Sequence, residues 1–450
     1  MAKTNPLKVP PQDLDAEMSV LGALMLDKNA IVKIADTLKP ADFYDPRHQK
    51  IYETIINLFA KSQPIDLLTV ASKLKEKKLL KEVGGEKYLT TLIESVPTSA
   101  HIEHYSNAVR EKRVRRDLIN VSSEIHEKAF EHDDFETLLD QVEQKVFDIA
   151  GRSRIQKFVH LKDDLPAAYE RLEKLHRGEG ALRGVATSFT GIDNLLSGLQ
   201  KSDLIIVGAR PSFGKTALAL DIAREASLKG HVVGIFSLEM SREQVIDRII
   251  ASQAQIPLWR LRTGRLAGDT EFGFVRQALD DLSKNPLFID DSPSPNILQM
   301  RSMARRLQLE RGLDLLIVDY LQLVQPRTGS DNMVQQITEV SRGLKGLAKE
   351  LNIPVLAISQ LSRAVDQREI KIPRLSDLRE SGSLEQDADV VMLLYRKDRD
   401  RMDATEDEKN LVEVIIAKHR NGPLGSVQLK FDQEKVSFRN IDTTHQAPEE

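Results

Sequence analysis

The chain has no cysteine among its 450 residues and a single tryptophan. The absence of cysteine excludes disulfide bonds, thiolate zinc sites and cysteine nucleophiles, and it suits a reducing cytosol. Any catalytic metal ion is therefore expected to bind oxygen ligands. The first residues contain no apolar leader, and no run approaches about 18 uninterrupted apolar residues. We therefore expect a cytoplasmic protein that binds no membrane.

The charge balance excludes a protein that is basic as a whole. The formal net charge is -4 at pH 7, and 41% of the residues are hydrophobic. Binding to nucleic acid would therefore have to rely on local basic surface. The length favours two or three domains, and the hydrophobic content is sufficient for sizeable cores.

Hydrophobic periodicity divides the chain into a helical part and a part with alternating strands and helices. Residues 1–150 have apolar positions at helical spacing, which predicts an all-α N-terminal domain. Residues 151–184 are predicted as a linker with one amphipathic helix, whose apolar stripe must pack either on its own domain or on a neighbouring subunit. The stripe consists of Leu165, Ala168, Tyr169, Leu172 and Leu175. In residues 185–442, apolar runs alternate with helical segments, as in a mostly parallel sheet with crossover helices and a terminal hairpin. Residues 443–450 are predicted to be a disordered tail.

The most informative segment is GARPSFGKT at 208–216, between an apolar run and a helical segment. In a strand-loop-helix context, such a loop surrounds nucleotide phosphates with backbone N–H groups. Lys215 would reach the β and γ oxygens, and Thr216 would offer its hydroxyl to Mg²⁺. The usual pattern has glycine at the position of Ala209, whereas here the glycine is Gly208. The other loop residues predicted to bind the nucleotide are Arg210, Pro211, Ser212 and Gly214.

Polar residues also end three further predicted strands, and ligands bind at the carboxyl ends of strands in such sheets. Asp319 follows four apolar residues and is expected to hold Mg²⁺, partly through water. Glu239 precedes a capping box formed by Ser241 and Gln244, which would fix it in place as a general base. Gln360 is interpreted either as a sensor of the γ-phosphate or as a hydrogen-bonded amide at a strand end.

Two further segments carry positive charge. Lys418 and Arg420 lie two apart, so on a strand they face the same way, although a solvated pair of surface cations is the alternative. Residues 377–382 show no periodicity and are predicted as a loop whose backbone N–H groups and Arg379 contact DNA phosphates. For Arg379, a salt bridge to Asp377 or Glu380 is the alternative.

Six motifs in order resemble those of the DnaB family of bacterial replicative helicases. They are ARPSFGKT, FSLEMS, LLIVDYLQLV, AISQLSR, DLRESGSLEQDADVV and AKHRNGP, and the opening VPPQDLDAEMSVLGALMLD is similar as well. The resemblance covers essentially the whole chain. It implies a RecA-like P-loop ATPase motor in a homohexameric ring that moves 5′ to 3′ on single-stranded DNA and unwinds the replication fork. It also implies a collar that binds primase, a linker helix that docks on the adjacent subunit, a helicase loader, and ATP with Mg²⁺.

The resemblance also assigns roles to individual residues. It places Lys215 and Thr216 in the phosphate loop, and it makes Glu239 the catalytic base, Asp319 the second metal motif and Gln360 the γ-phosphate sensor. Further matches are Lys418 and Arg420, which would reach the neighbouring subunit's nucleotide, and Arg379, Glu380 and Gly382, which would contact the DNA backbone. Ser188 stands where the family often has glycine.

Two alternatives belong to other functional classes. A RecA-like or RadA-like recombinase would form filaments on the same motor, but the helical N-terminal domain and the lack of zinc-binding cysteines argue against it. A clamp or loader that binds ATP without turnover is disfavoured because Glu239, Asp319, Gln360 and Arg420 occur together.

Overall fold

The chain forms two compact units, Met1–Asp163 and Asp164–Glu450. The computed structural model describes residues 9–96, 98, 101–130, 138, 141, 142, 145, 146, 149, 160–177, 183–326, 332–368, 371–396 and 410–441. Within this part of the chain, no helix is both long and apolar enough to cross a membrane.

The first unit is built from helices, as predicted. They are α1 (Leu14–Leu26), α2 (Ala30–Ile34), α3 (Pro46–Ala60), α4 (Leu67–Glu76), α5 (Gly85–Glu94) and α6 (Ile102–Lys128), with a 3-10 turn at Pro40–Asp42. Aspartate carboxylates at Asp13, Asp45 and Asp66 accept first-turn N–H groups and begin α1, α3 and α4. Apolar residues at helical spacing, among them Val20 and Ile51, form one buried core.

Helix α7 (Leu161–His176) carries the predicted apolar stripe. Leu165 and Tyr169 on this stripe are exposed. The side chains of Leu172 and Leu175 lie outside the described residues. Docking of the stripe on another subunit therefore stays a prediction.

The second unit contains a sheet of nine strands among its described residues, in the order β3-β2-β4-β5-β1-β6-β7-β8-β9. The strands are β1 (Leu204–Ala209), β2 (Val233–Ser237), β3 (Leu287–Asp290), β4 (Leu315–Asp319), β5 (Val355–Gln360), β6 (Val390–Tyr395), β7 (Leu411–His419), β8 (Gly425–Asp432) and β9 (Ser437–Asn440). Strands β1 to β6 pair in parallel, and β7 to β9 extend the sheet antiparallel. The predicted parallel sheet and its hairpin edge are confirmed.

Helices cover both faces of this sheet. They are α8 (Thr190–Leu196), α9 (Lys215–Leu228), α10 (Arg242–Ala254), α11 (Leu258–Thr263), α12 (Gly268–Ser283), α13 (Ile297–Arg311), α14 (Met333–Leu351) and α15 (Gly382–Asp387). One core joins α8, α9 and α10 to one face, and a second core joins α13 and α14 to the other. The parallel strands therefore bring their carboxyl ends to a common edge.

The segment predicted as a loop at 377–382 is helical, so that prediction is wrong. Residues Leu375–Ser381 form a 3-10 helix that continues into α15. The buried Asp377 carboxylate accepts the N–H of Arg374 at 2.7 Å and forms an ion pair with Arg368. A capping carboxylate of this kind stabilises the first turn, and Leu378 anchors the segment to the second core.

Candidate active site

The phosphate loop occupies residues 210–214, between β1 and α9. Gly208 lies inside β1, paired with Ser359 and Leu393, so this glycine belongs to the strand. The loop bends at Ser212 and Gly214, with φ angles of 66° and 90°. A Cβ atom on Gly214 would lie 2.8 Å from the Phe438 ring. The left-handed backbone and this close approach both require glycine at position 214.

Lys215 lies at the start of α9 beside a carboxylate and an aromatic ring. Its Nζ atom is 3.4 Å from Oε2 of Glu239 and 4.0 Å from the centroid of the Tyr320 ring. Lys215 is buried, whereas the Glu239 side chain is 48% exposed. The site thus combines a fixed cation with a carboxylate that solvent water can reach.

A tight turn after β2 holds Glu239 in this position. The Ser237 hydroxyl donates to the carbonyl oxygen of Met240 at 2.6 Å, and the N–H of Leu238 donates to the carbonyl oxygen of Asp319 at 2.7 Å. The predicted capping box of Ser241 and Gln244 begins α10. Glu239 is therefore attached to β4 on one side and to a capped helix on the other.

Asp319 is buried at the end of β4, next to the phosphate loop. Burial raises the pKa of its carboxyl group, whereas Lys215 and the Thr216 hydroxyl lower it. Its Oδ1 atom is buried without a hydrogen-bond partner among the described residues. A buried carboxylate oxygen with no donor suits a hydrated Mg²⁺ ion, which usually binds one or two carboxylates together with phosphate oxygens. The described residues contain no group of three or more metal-binding acids or histidines. Thr216 and Asp319 therefore fit a metal that is shared with a nucleotide.

Gln360 ends β5 directly beside the loop. It pairs in register with Ala209, the last residue of β1. The Gln322 side chain braces this strand end, because its amide donates to the Ser359 hydroxyl at 3.1 Å and to the Gln360 carbonyl oxygen at 3.4 Å. The strand end is thus fixed through the main chain. Its position suits the predicted sensor.

Arg248 on α10 is a functional candidate that the sequence analysis missed. Burial lowers the pKa of its guanidinium, and the carboxylates of Asp319 and Glu239 raise it. Arg248 therefore interacts electrostatically with the predicted metal ligand, Asp319, and the predicted base, Glu239. Arg248 follows Ser241 by seven residues, or about two helical turns, so the two lie on the same face of α10. This spacing could have identified Arg248 from the sequence.

The remaining loop residues differ in their surroundings. The Arg210 guanidinium forms an ion pair with Asp366 and donates to the Leu361 carbonyl oxygen at 3.2 Å. Pro211 and Ser212 are exposed. Because the Arg210 side chain is bound within the chain, its predicted nucleotide contact would come from the backbone.

Lys418 and Arg420 lie near the amino-terminal ends of the parallel strands, opposite the phosphate loop. Lys418 Nζ donates to the carbonyl oxygens of Glu385 and Gln386, the first at 2.5 Å. Arg420 Nη1 lies 3.2 Å from Oδ1 of Asp389. Both cations contact the segment 385–389, but Arg420 follows β7 in a turn, so the strand alternation assumed for the pair does not apply to it. Asp389 bonds to the first residue of β1, whereas the phosphate loop follows the last.

The predicted DNA contacts are described only in part. The side chains of Arg379 and Glu380 lie outside the described residues. Gly382 is exposed, has a φ angle of −52°, and would carry a Cβ atom without any contact within 4 Å. The fold therefore does not require glycine at 382. Assignment of Arg379, Glu380 and Gly382 to DNA stays a prediction.

Two family models match the chain in sequence. The DnaB-like helicase N terminal domain matches residues 9–111, and the DnaB-like helicase C terminal domain matches residues 184–440. The chain belongs to the DnaB family of replicative DNA helicases. Family membership confirms the predicted enzyme class, an ATP-hydrolysing DNA helicase, over the recombinase alternative.

Individual DnaB-family relatives match nearly end to end. The replicative DNA helicase DnaB of Geobacillus stearothermophilus is 44% identical over 438 residues, covering 97% of this chain and 96% of that protein. A solved structure of a DnaB-like replicative helicase and its interactions with primase has a TM-score of 0.77 at 33% identity, covering 96% of this chain and all of that one (100%). The ATPase domain of G40P has a TM-score of 0.60 at 37% identity and covers 64% of this chain and 100% of its own. These matches confirm the RecA-like motor with an all-α N-terminal domain.

Proposed function

We propose that this DnaB-family helicase works as a homohexameric ring that moves 5′ to 3′ along single-stranded DNA and unwinds the replication fork. The single observation that carries the proposal is the separation of two catalytic elements within one chain. The phosphate loop follows the end of β1, whereas Arg420 is anchored near its beginning. One subunit alone therefore holds an incomplete site.

The chain's own residues account for the hydrolytic step. Lys215 provides fixed positive charge for the β and γ oxygens of ATP, and Glu239 accepts a proton from the attacking water. Thr216 and Asp319 hold Mg²⁺, which when bound neutralises charge on the phosphates. We infer that Gln360, which pairs with the last residue of β1 beside the loop, senses the γ-phosphate. The charge of Arg248 acts on Glu239 and Asp319 and adds positive potential to the site.

The missing charge comes from a neighbouring subunit. The six residues of β1 span about 16 Å at roughly 3.3 Å per residue. An arginine held at the start of this strand cannot reach a phosphate bound at its end. Arg420, with Lys418 beside it, therefore acts on the next subunit's nucleotide. Because each subunit offers a finger on one face and a nucleotide on another, the contact is heterologous, and such a contact can repeat around a closed ring.

The remaining parts of the chain serve assembly and DNA. The helical N-terminal unit forms a collar that binds primase, and a solved relative is described with its interactions with primase. Helix α7 docks its exposed Leu165 and Tyr169 on the adjacent subunit. Arg379, Glu380 and Gly382 face the pore and contact the DNA backbone. A closed ring needs a loader that opens it on the strand.

Electron microscopy of the full chain with a non-hydrolysable ATP analogue tests the assembly. The proposal expects closed six-fold rings, in which the last subunit's finger reaches the first subunit's nucleotide. Open filaments on DNA would contradict the ring and favour the recombinase instead.

The proposed base is tested by Glu239→Gln. The variant keeps Lys215 and the loop, so it should bind ATP like the wild type but hydrolyse it at least about 100-fold more slowly. Nucleotide affinity and single-turnover hydrolysis separate these two effects. Wild-type turnover in this variant would remove Glu239 from the mechanism.

A further inference from the structure

Asp389 lies next to the first residue of β1, at the end of the parallel strands opposite the phosphate loop. Its side chain is 4% exposed. Its Oδ2 atom accepts a hydrogen bond from the N–H of Leu204 at 2.8 Å and forms an ion pair with Lys345. Its own N–H donates to the Leu204 carbonyl oxygen at 2.9 Å. The residue is therefore locked to the first residue of β1.

The other oxygen of this carboxylate faces Arg420. Oδ1 accepts from Arg420 Nη1 at 3.2 Å, and the Asp389 carbonyl oxygen accepts the Arg420 N–H at 2.8 Å. Asp389 thus binds both the backbone and the guanidinium of Arg420. The Arg420 side chain is nevertheless 54% exposed. The backbone and one guanidinium nitrogen of Arg420 are thus held by Asp389. The rest of the guanidinium stays available to a partner.

We propose that Asp389 is a positioning residue for the Arg420 finger. The inference rests on the proposed role of Arg420 in trans. Asp389 fixes the direction in which the guanidinium leaves the subunit, and it ties that direction to β1. Because the same strand leads into the phosphate loop, the finger and the loop keep a constant spacing within each subunit. Each nucleotide site then receives its finger in a defined geometry.

Lys345 supplies the counter-charge that makes a buried Asp389 tolerable. Its Nζ atom binds the Asp389 carboxylate and also donates to the carbonyl oxygen of Ser202 at 2.8 Å. Removing the carboxylate alone would leave this largely buried ammonium without its partner, and such a loss is strongly destabilising. A clean test of Asp389 therefore has to change Lys345 as well.

The test compares Asp389→Asn combined with Lys345→Met against Lys345→Met alone. The double variant removes the carboxylate and its counter-charge together, whereas the single variant keeps the bond to Arg420. Ring assembly and the melting temperature show that both variants fold.

For the double variant we expect kcat of the DNA-stimulated ATPase to fall about 10- to 100-fold, because a misplaced group costs turnover more than binding. The KM for ATP should stay within about threefold of the wild-type value. In Lys345→Met alone the Asp389 carboxylate keeps the Leu204 N–H and Arg420 as partners, so this variant should turn over like the wild type.

Mixed rings then distinguish a finger effect from general damage. Double-variant subunits retain their own phosphate loop, so mixing with Lys215→Ala subunits, which retain an intact finger, should restore activity. Mixing with Arg420→Ala subunits should restore none, because both partners lack a positioned finger. Arg420→Ala mixed with Lys215→Ala is the control for action in trans.

Three results would overturn the inference. The first is turnover of the double variant equal to that of Lys345→Met. The second is failure of the Lys215→Ala mixture when the control mixture recovers, since Asp389 would then act on its own subunit's site. The third is recovery with Arg420→Ala subunits. A control mixture that stays inactive would instead contradict the trans role of Arg420, and the inference would fall with it.

Discussion

Ser188 has a backbone conformation that favours glycine. Its φ angle is 66°, and its hydroxyl oxygen is buried without a hydrogen-bond partner in the described part of the chain. A left-handed conformation costs a residue with a Cβ atom roughly 1–2 kcal/mol. This explains in physical terms why a glycine suits this position.

We expect Ser188→Gly to stabilise the protein by about 1 kcal/mol, which for a unit of this size raises the melting temperature by roughly 2 °C. Ser202→Gly is the matched control. Ser202 has the same φ angle of 66°, but its hydroxyl is hydrogen-bonded to Asn352 at 3.0 Å. It should therefore gain less. A lower melting temperature for Ser188→Gly would show that the serine makes a compensating interaction.

Asp203 should make stability depend on pH. Burial, followed by the charge of Asp389, raises the pKa of its carboxyl group from 3.8 to about 6. A raised pKa in the folded state means that the stabilising contribution is complete below pH 3.8 and is lost as the pH rises through about 6. Ionised Asp203 is therefore destabilising at neutral pH.

Asp203→Asn removes this effect. The free energy of unfolding of the variant relative to wild type should increase by about 1 kcal/mol between pH 5 and 7.5, after allowance for the partial exposure of the group. Thermal or urea unfolding at both pH values measures the difference. An equal difference at the two pH values would exclude a perturbed Asp203 as the cause.

Strand periodicity and the phosphate-loop motif together predicted where the candidate nucleotide residues lie. Asp319 and Gln360 end parallel strands, and Lys215 begins the helix that follows the loop after β1. The partners of Arg210 and Asp389 could not be predicted, since Asp366 and Leu204 are distant from them in sequence. Contacts of that kind depend on tertiary packing, which a local pattern does not contain.

At the level of elements, strands were easier to predict than the segment proposed for DNA. The buried strands read as continuous apolar runs. The 3-10 helix Leu375–Ser381 has only Leu375 and Leu378 as apolar residues, and it is stabilised by their packing on the second core and by the ion pair between Asp377 and Arg368. The predicted loop is thus a fixed helical turn that presents Gly382 at the surface.

This segment should bind single-stranded DNA with a steep dependence on salt and little dependence on base sequence. Arg379→Ala should weaken binding and reduce the slope of log K against log salt by about 1. Gly382→Ala should fold normally, because an added Cβ atom meets nothing within 4 Å. It should weaken binding without changing the slope, since it blocks close approach but removes no charge.

Fluorescence anisotropy with homopolymeric and mixed oligonucleotides at several salt concentrations measures these quantities. A strong preference for particular bases would indicate a different binding mode. An unchanged salt slope in Arg379→Ala would exclude a phosphate contact by that arginine.

At the scale of the whole molecule, the chain combines a helical unit with a motor unit. All the predicted nucleotide residues lie in the second unit, as the sequence analysis expected. The phosphate loop with Glu239 lies at the carboxyl ends of the parallel strands, and Arg420 with Asp389 lies near their amino ends. We propose that these two parts of the site complete each other only between subunits.

The most direct measurement of this claim is the ATPase activity of mixed rings of Arg420→Ala and Lys215→Ala subunits, with subunit exchange verified by mass spectrometry. Arg420→Ala alone should lose roughly 10³-fold or more in turnover, as expected for an arginine finger. Lys215→Ala alone should be inactive because ATP loses its fixed counter-charge. The mixture should recover activity, since some interfaces pair an intact finger with an intact loop. Wild-type activity of Arg420→Ala, or no recovery in fully exchanged rings, would contradict a shared site.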